Sequence, residues 1–408
     1  MVDALQGQGL ERFGMMNLHD EMKAHLTEKL LPFWESLRDN TRGGFYGWMD
    51  SGLTLDRDAV KGCILNNRIL WFFSNAYLTL GDEKLKAYAD HAYDFLVKHC
   101  YDPEQGGVYW SLDADGAVVD STKHTYNQAF AVYALSSYYR AFGKKEALEL
   151  AGKIVDVIEG KCFDEYGYKE AQDRYFVPVE NDKLSENGVM ADRTMNTLLH
   201  VLEGYTEYYL VTKEERVGAK LRWMLDVLAD KIYHPVLHRQ EVFFDNDMHS
   251  LIDLHSYGHD IETSWLADRT LKALDDPAYT EKLRPILLDL ADQIYRVAYK
   301  KHSLANECER GKVDERRIWW VQAEAVLGFY NAWERSGEAR YRDAALDVWD
   351  FIKTYLVDRR PGGEWFYNVD EDGRPEMGQP IVEPWKCPYH NGRLCMEMMR
   401  RTDPGLKA

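Results

Sequence analysis

Cysteine is scarce in this sequence: 6 residues among 408, Cys63, Cys100, Cys162, Cys308, Cys387 and Cys395, with no C-x-x-C pair. A disulfide scaffold or zinc ribbon is therefore not expected, and the thiols read as reduced groups of a cytoplasmic protein. Positive charge is also short. The 50 Lys+Arg face 68 Asp+Glu, a formal net charge of -18 at pH 7. That argues against a nucleic-acid partner, which needs a basic footprint. No stretch approaches the run of about 20 apolar residues that a membrane span requires, so no membrane association is expected. The first residues, MVDALQGQGLERFGMMNLHDEM, lack a basic start followed by an apolar stretch, so no signal peptide is expected. There is no glycine-rich phosphate loop, no G-x-S-x-G and no H-E-x-x-H. His234, His238, His249 and His255 lie close in sequence but lack metal-ligand spacing. They read as loop histidines, and no metal is expected.

Aromatic residues are abundant: 12 Trp and 26 Tyr, within an aromatic fraction of 13%. Some of them recur in glycine-aromatic loops at Gly43-Gly44-Phe45-Tyr46, Gly106-Gly107-Val108-Tyr109-Trp110, Tyr166-Gly167-Tyr168 and Gly362-Gly363-Glu364-Trp365-Phe366-Tyr367. Weaker loops at the same phase lie near Arg239 to Asp247 and Leu304 to Asp314, so the period is roughly 60 residues. Helical spacing fills the intervals. Asn66 to Leu80 is followed by Lys84 to His99, and Thr122 to Phe142 by Lys144 to Glu159. The doublet returns at Asp192 to Val211 with Lys213 to Ile232, and at His255 to Leu274 with Tyr279 to Lys300. Arg316 to Arg335 with Ala339 to Tyr355 is the last. A leading helix near Leu18 to Leu37 and a final one from Tyr389 to Arg401 complete about twelve. The first helix of each doublet is apolar on most sides and the second has a charged face, as expected for a buried and a peripheral layer. Length alone, at about 150 residues per domain, gives two or three domains. The repeat instead predicts one all-α domain over 1–408, an (α/α)6 barrel with inner and outer rings of about six helices each. An open solenoid gives the same pattern.

The buried helices carry polar residues in their first two turns: Asn67 and Arg68, Tyr126 and Asn127, Asn196 and His200, His259 and Glu262, Trp320 and Glu324, then His390 and Arg393. If the inner helices run parallel, these converge on one funnel, the concave kind of site that ligands favour. In Gly258-His259-Asp260-Ile261-Glu262-Thr263-Ser264-Trp265, His259 and Glu262 are spaced i, i+3 on one face with Trp265 nearby. A carboxylate beside His259 is expected to raise its pKa and orient its ring for acid/base work. Taken alone, that pair also fits a surface pair at a helix start, His390 a capping histidine, and His200 a satisfied core histidine. Arg68 on an apolar helix needs an ion pair or a ligand oxygen. Trp319 reads as packing and Trp320 as a stacking surface. Aromatic platforms with dispersed polar groups suit a sugar.

Asn66-Asn67-Arg68, Asn196-Thr197-Leu198-Leu199-His200, the His259 to Trp265 string, Trp319-Trp320-Val321-Gln322-Ala323-Glu324-Ala325 and Pro388-Tyr389-His390-Asn391-Gly392-Arg393 resemble the cellobiose 2-epimerases. These form a branch of the N-acylglucosamine 2-epimerase superfamily, and the resemblance runs along essentially the whole chain. It implies an (α/α)6 barrel. It also implies reversible epimerisation at C2 of the reducing-end sugar of a β-1,4-linked disaccharide, cellobiose to glucosyl-mannose and lactose to epilactose. The implied path is ring opening, proton abstraction, a cis-enediolate, rotation about C2–C3 and proton return, with no cofactor. His259 and His390 match the two acid/base histidines, Arg68 and His200 the groups that stabilise the oxyanion. Glu262 matches a residue that supports His259 and contacts the sugar. Trp320, Trp385 and Glu324 match residues that grip the sugars. Tyr126, Asn127, Asn196 and Trp265 join the substrate-binding candidates. The expected partner is a small disaccharide, and the chain is expected to be a monomer or weak dimer. An aldose-ketose isomerase of the mannose/fructose type, an inverting glycosidase using Glu262 and Glu324, and a non-enzymatic helical scaffold are the competing readings.

Overall fold

The computed structural model describes residues 18–184 and 187–403. Most of the N-terminal stretch read for a signal peptide, residues 1–17, lies outside them. Outer and inner helices alternate along the chain. They are α1 (18–36) and α2 (Cys63–Leu80), α3 (Lys84–Phe95) and α4 (Thr125–Phe142), α5 (Lys145–Val157) and α6 (Met195–Thr212). Then follow α7 (Glu215–Val227) and α8 (Tyr257–Leu274), α9 (Pro277–Val297) and α10 (Trp319–Ser336), α11 (Ala339–Phe351) and α12 (His390–Thr402). The even-numbered helices pack in sequence, α2 on α4 through to α10 on α12, and α12 packs back on α2. The inner ring is therefore closed, which decides between the barrel and an open solenoid. No helix among the described residues is long and apolar enough to cross a membrane.

The two layers follow from side-chain patterning. On α5 the buried residues are Ala147, Leu150, Ala151, Ile154 and Val155, an i, i+3, i+4, i+7, i+8 stripe facing the inner ring. Truncating a filled position such as Ile154 to Ala should cost about 2–5 kcal/mol. On α4 the fourteen residues Thr125 to Tyr138 are all buried, because neighbours surround it. Five inner helices end on a left-handed residue, Gly81, Gly143, Lys213, Asp275 or Gly337. That residue stops the helix and turns the chain outward.

Four inner helices start two or three residues later than the spacing predicts, because the residues before them are extended. An extended segment also precedes α2, which starts at Cys63, earlier than the predicted Asn66, and each of the five segments pairs with the loop of the next repeat. Lys61–Gly62 pairs with Ser111–Leu112, Lys123–His124 with Ala171–Gln172, and Arg193–Thr194 with Phe243–Phe244. Leu254–Ser256 pairs with Glu307–Glu309 and Arg317–Ile318 with Asn368–Val369. A bridge between Met49 and Val382 continues the circle. These short pairs stitch neighbouring repeats together at the end where the inner helices begin. α9 starts at Pro277, earlier than the predicted Tyr279, because proline suits the first helical turn and Asp276 caps it.

Candidate active site

The polar residues of the inner helices sort into two sets. One set points outward and ties down the repeat's own loop. Gln128 accepts from Val108 N at 2.6 Å and donates to Val108 O at 2.8 Å. Gln322 does the same with Leu304, and Asn66 accepts from Phe45 N. The other set makes a layer across the barrel. Arg68, Phe130, His200, Glu262 and Glu324 are each the sixth residue of an inner helix. Equal register on parallel helices brings them to one depth.

Arg393 of α12 gathers three carboxylates at that depth. Its Nη2 donates to Glu262 Oε1 at 2.5 Å and to Glu324 Oε1 at 2.7 Å, and its Nη1 to Glu203 Oε1 at 2.5 Å. All four side chains are excluded from solvent. Burial, and then the neighbouring Glu324, push the Glu262 carboxyl up to about 8. Burial pushes Glu324 up as well. Burial acts the same way on Glu203, but the Arg393 charge and hydrogen bonds from His200 and Tyr389 hold that carboxyl at about 2. The cluster is thus an ionised Glu203 against Arg393, with Glu262 protonated near neutrality.

This cluster holds the histidines. His390 Nδ1 is bonded to Glu324 Oε1 at 2.7 Å, and His200 Nδ1 to Glu203 Oε2 at 2.9 Å. Trp265 Nε1 donates to Glu324 Oε2 at 2.9 Å, which fixes that carboxylate from behind. Tyr389 donates to Glu203 and receives from Arg393. His259 is held differently: its Nδ1 lies 2.7 Å from Ser256 Oγ. The Trp320 ring packs against both imidazoles, 4.8 Å from that of His259 and 5.5 Å from that of His390. Gly258 makes room for it, since a Cβ there would meet the indole at 2.4 Å. Burial, then His200, holds the His259 pKa at about 3, and burial, then the Arg393 charge, holds His390 far below its ordinary value. Both are neutral imidazoles near pH 7.

Arg68 sits over the Phe130 ring at 4.2 Å and the Tyr389 ring at 4.7 Å. Its Nη2 donates to Tyr126 Oη at 2.7 Å and its Nη1 to the Trp385 carbonyl at 3.3 Å, while its Nε has no partner among the described residues. The bent segment before α12 is anchored by Lys386, whose Nζ donates to Glu364 Oε2 at 2.7 Å with both groups buried. Half-buried Trp385 stands beside Tyr126 and Trp110. A cavity of about 360 Å³ opens at this end of the barrel, with Asn196, Ser256, His259, Trp320, Asn306 and Tyr367 in its wall.

Of the predicted residues, His259, Trp320 and Asn196 line the cavity, while His200, Glu262, Glu324 and His390 are tied together through Arg393 and Glu203; several readings are corrected. Glu262 does not touch His259; it bonds Arg393, and the His259 pKa falls where a carboxylate neighbour was expected to raise it. Asn127 is packed between inner helices, donating to Tyr109 O and accepting from Asn67. Trp265 is 1% exposed and Glu324 0%, so both hold His390 in place and neither lies on the cavity wall. Asn196 does line the cavity, and its buried Oδ1 has no partner among the described residues. Ser256, Glu203 and the Lys386–Glu364 pair were not read from the sequence. Glu262, Glu324 and His390 offer ligand atoms within 4.8 Å of one another. Arg393 already bridges the two carboxylates, and a divalent cation there would be pressed against a guanidinium.

The N-acylglucosamine 2-epimerase family model matches residues 43–391. A cellobiose 2-epimerase of Eubacterium cellulosolvens is 51% identical over 391 residues, covering 92% of this chain and 96% of that one. The solved structure of a cellobiose 2-epimerase from Bacillus thermoamylovorans superposes with a TM-score of 0.91 at 43% identity, covering 94% of this chain and 99% of that one. A D-mannose isomerase of Thermobifida fusca is more remote, 25% identical over 365 residues, 83% of this chain and 84% of that one. The closed ring, the polar residues gathered at one end of the inner helices and likeness along nearly the whole length agree: the chain belongs to the N-acylglucosamine 2-epimerase family.

Proposed function

We propose that the protein interconverts the C2 epimers of the reducing-end glucose of β-1,4-linked disaccharides, cellobiose to glucosyl-mannose and lactose to epilactose. One observation carries the reading. Two neutral imidazoles, His259 and His390, both lie against the Trp320 ring, each bound through Nδ1, and neither Nε2 has a partner among the described residues. Inverting a stereocentre calls for a proton acceptor on one face and a donor on the other. After ring opening, one Nε2 takes the C2 proton. The C2–H electron pair becomes the C1–C2 double bond, and the C1 oxygen takes the negative charge. Arg68 and His200, members of the layer across the barrel, are the stabilisers of that enediolate. After rotation about C2–C3, the other histidine, having taken up a proton from solvent at Nε2, delivers it to the opposite face of C2, and the first releases the abstracted proton to solvent. Trp320 and Trp385 offer half-buried aromatic faces for the sugars. These residues supply the bases and the oxyanion stabilisation themselves, which supports a cofactor-independent reaction. Six free cysteines support a cytoplasmic setting.

The glycosidase reading is weaker. Inverting carboxylates stand roughly 6.5–9.5 Å apart with water between them, whereas Glu262 and Glu324 lie within 4.8 Å and share Arg393. The test is incubation with cellobiose in deuterium oxide. Glucosyl-mannose deuterated at C2, without added cofactor, is expected. A ketose as main product, or release of free glucose, overturns the proposal.

A further inference from the structure

His390 and His259 share the reaction but differ in what supports them. Glu324, a carboxylate, meets Nδ1 of His390, whereas a neutral hydroxyl, Ser256 Oγ, meets Nδ1 of His259. Ser256 is the residue before α8, where a serine ordinarily turns its hydroxyl onto a backbone N–H of the first turn. Here the hydroxyl makes no cap hydrogen bond; it is spent on the imidazole instead. The helix forgoes a cap, and the serine stands in the wall of the same cavity as His259.

We infer that Ser256 is the positioning residue that fixes the His259 tautomer, keeping the proton on Nδ1 and leaving the Nε2 lone pair as the base on that side of C2. This rests on the two-histidine epimerase reading above. Which nitrogen of a neutral imidazole keeps the proton is set by the hydrogen bond the other groups offer it. A serine hydroxyl can either accept from Nδ1–H or donate to a bare Nδ1; the inferred arrangement is the first, the one that leaves Nε2 free as a base. When Nε2 takes the C2 proton, the imidazolium still donates Nδ1–H to the same oxygen, so nothing reorients between the two states. The two histidines thus differ in support, an uncharged hydroxyl at His259 and a carboxyl group at His390.

The experiment follows loss of C2 protium in deuterium oxide, starting separately from pure cellobiose and pure glucosyl-mannose, with circular dichroism melting alongside. Ser256→Ala should slow exchange from one epimer at least tenfold and from the other less than threefold. Ser256→Thr, which keeps the oxygen, should stay within threefold of the wild type on both. Should the alanine variant lose its fold, Ser256→Cys, close in size but a weak acceptor, is read the same way. Equal slowing from both epimers, or no slowing, in a folded variant overturns the inference. Failure of the wild-type protein to exchange C2 protium in either epimer overturns the epimerase reading itself.

Discussion

The imidazole of His390 is bonded through Nδ1 to Glu324 Oε1 at 2.7 Å, and that carboxylate is held in turn by Arg393 and Trp265. Glu324 thereby orients the ring and stabilises it when it carries a second proton. Glu324→Gln keeps the shape and removes the charge. Its kcat should fall by about 10²–10⁴, the usual contribution of acid/base catalysis. KM should change much less, because Glu324 is buried away from the cavity. Steady-state kinetics with cellobiose checks the split.

The lowered histidines set the acid side of the pH profile. His259 has a pKa of about 3 in the folded protein, against 6.5 ordinarily, and His390 is also well below 6.5. Both stay neutral and able to accept a proton below that ordinary value. The acid limb of kcat/KM should therefore lie clearly under pH 6.5. The same groups affect stability. Between about 3 and 6.5 the unfolded chain binds more protons at His259 than the folded one, so its contribution to stability is lost as pH falls through that window.

Glu262 runs the other way. Its folded pKa of about 8 exceeds the ordinary 4.5, so the folded protein holds the extra proton across that window. Stability from this group is present below 4.5 and lost as pH rises towards 8. Glu262→Gln mimics the protonated acid. The melting temperature of the wild type should drop relative to this variant as pH is raised from about 5 to about 9. Parallel pH curves for the two proteins would remove the assignment.

Much of the funnel was legible because polar residues stand out on otherwise apolar helices. Arg68, His200, His259 and His390 were found that way, and the repeat placed them at one end. Spacing gives a helix face but not its neighbour. Trp265 was placed with His259 and Glu262, yet its indole reaches across to Glu324 of α10. Asn127 faces Asn67 of α2. Glu203 was missed because it lies a turn below the rim, and Ser256 because it precedes the helix. The Lys386–Glu364 pair joins a glycine-aromatic loop to the chain before α12. No periodicity in either segment announces it.

That pair makes the final prediction. Lys386 and Glu364 are buried at 1% and 0% exposure and bonded at 2.7 Å. Glu364 also accepts from Asn391, the neighbour of His390, and Lys386 follows Trp385 directly. One ion pair thus ties the chain around Trp385 and His390 to the same loop. Lys386→Met strands a buried carboxylate and should cost about 3–5 kcal/mol. The double variant Lys386→Met with Glu364→Gln removes both charges and leaves an oxygen for Asn391. It should recover most of that stability, because the burden in the single variant is the unpaired charge. Activity should recover less, since the strap that holds Trp385 is gone in both. Denaturant melts and cellobiose kinetics on the two single variants and the double one test this. Equal stability of single and double variants would show that the pair is not coupled.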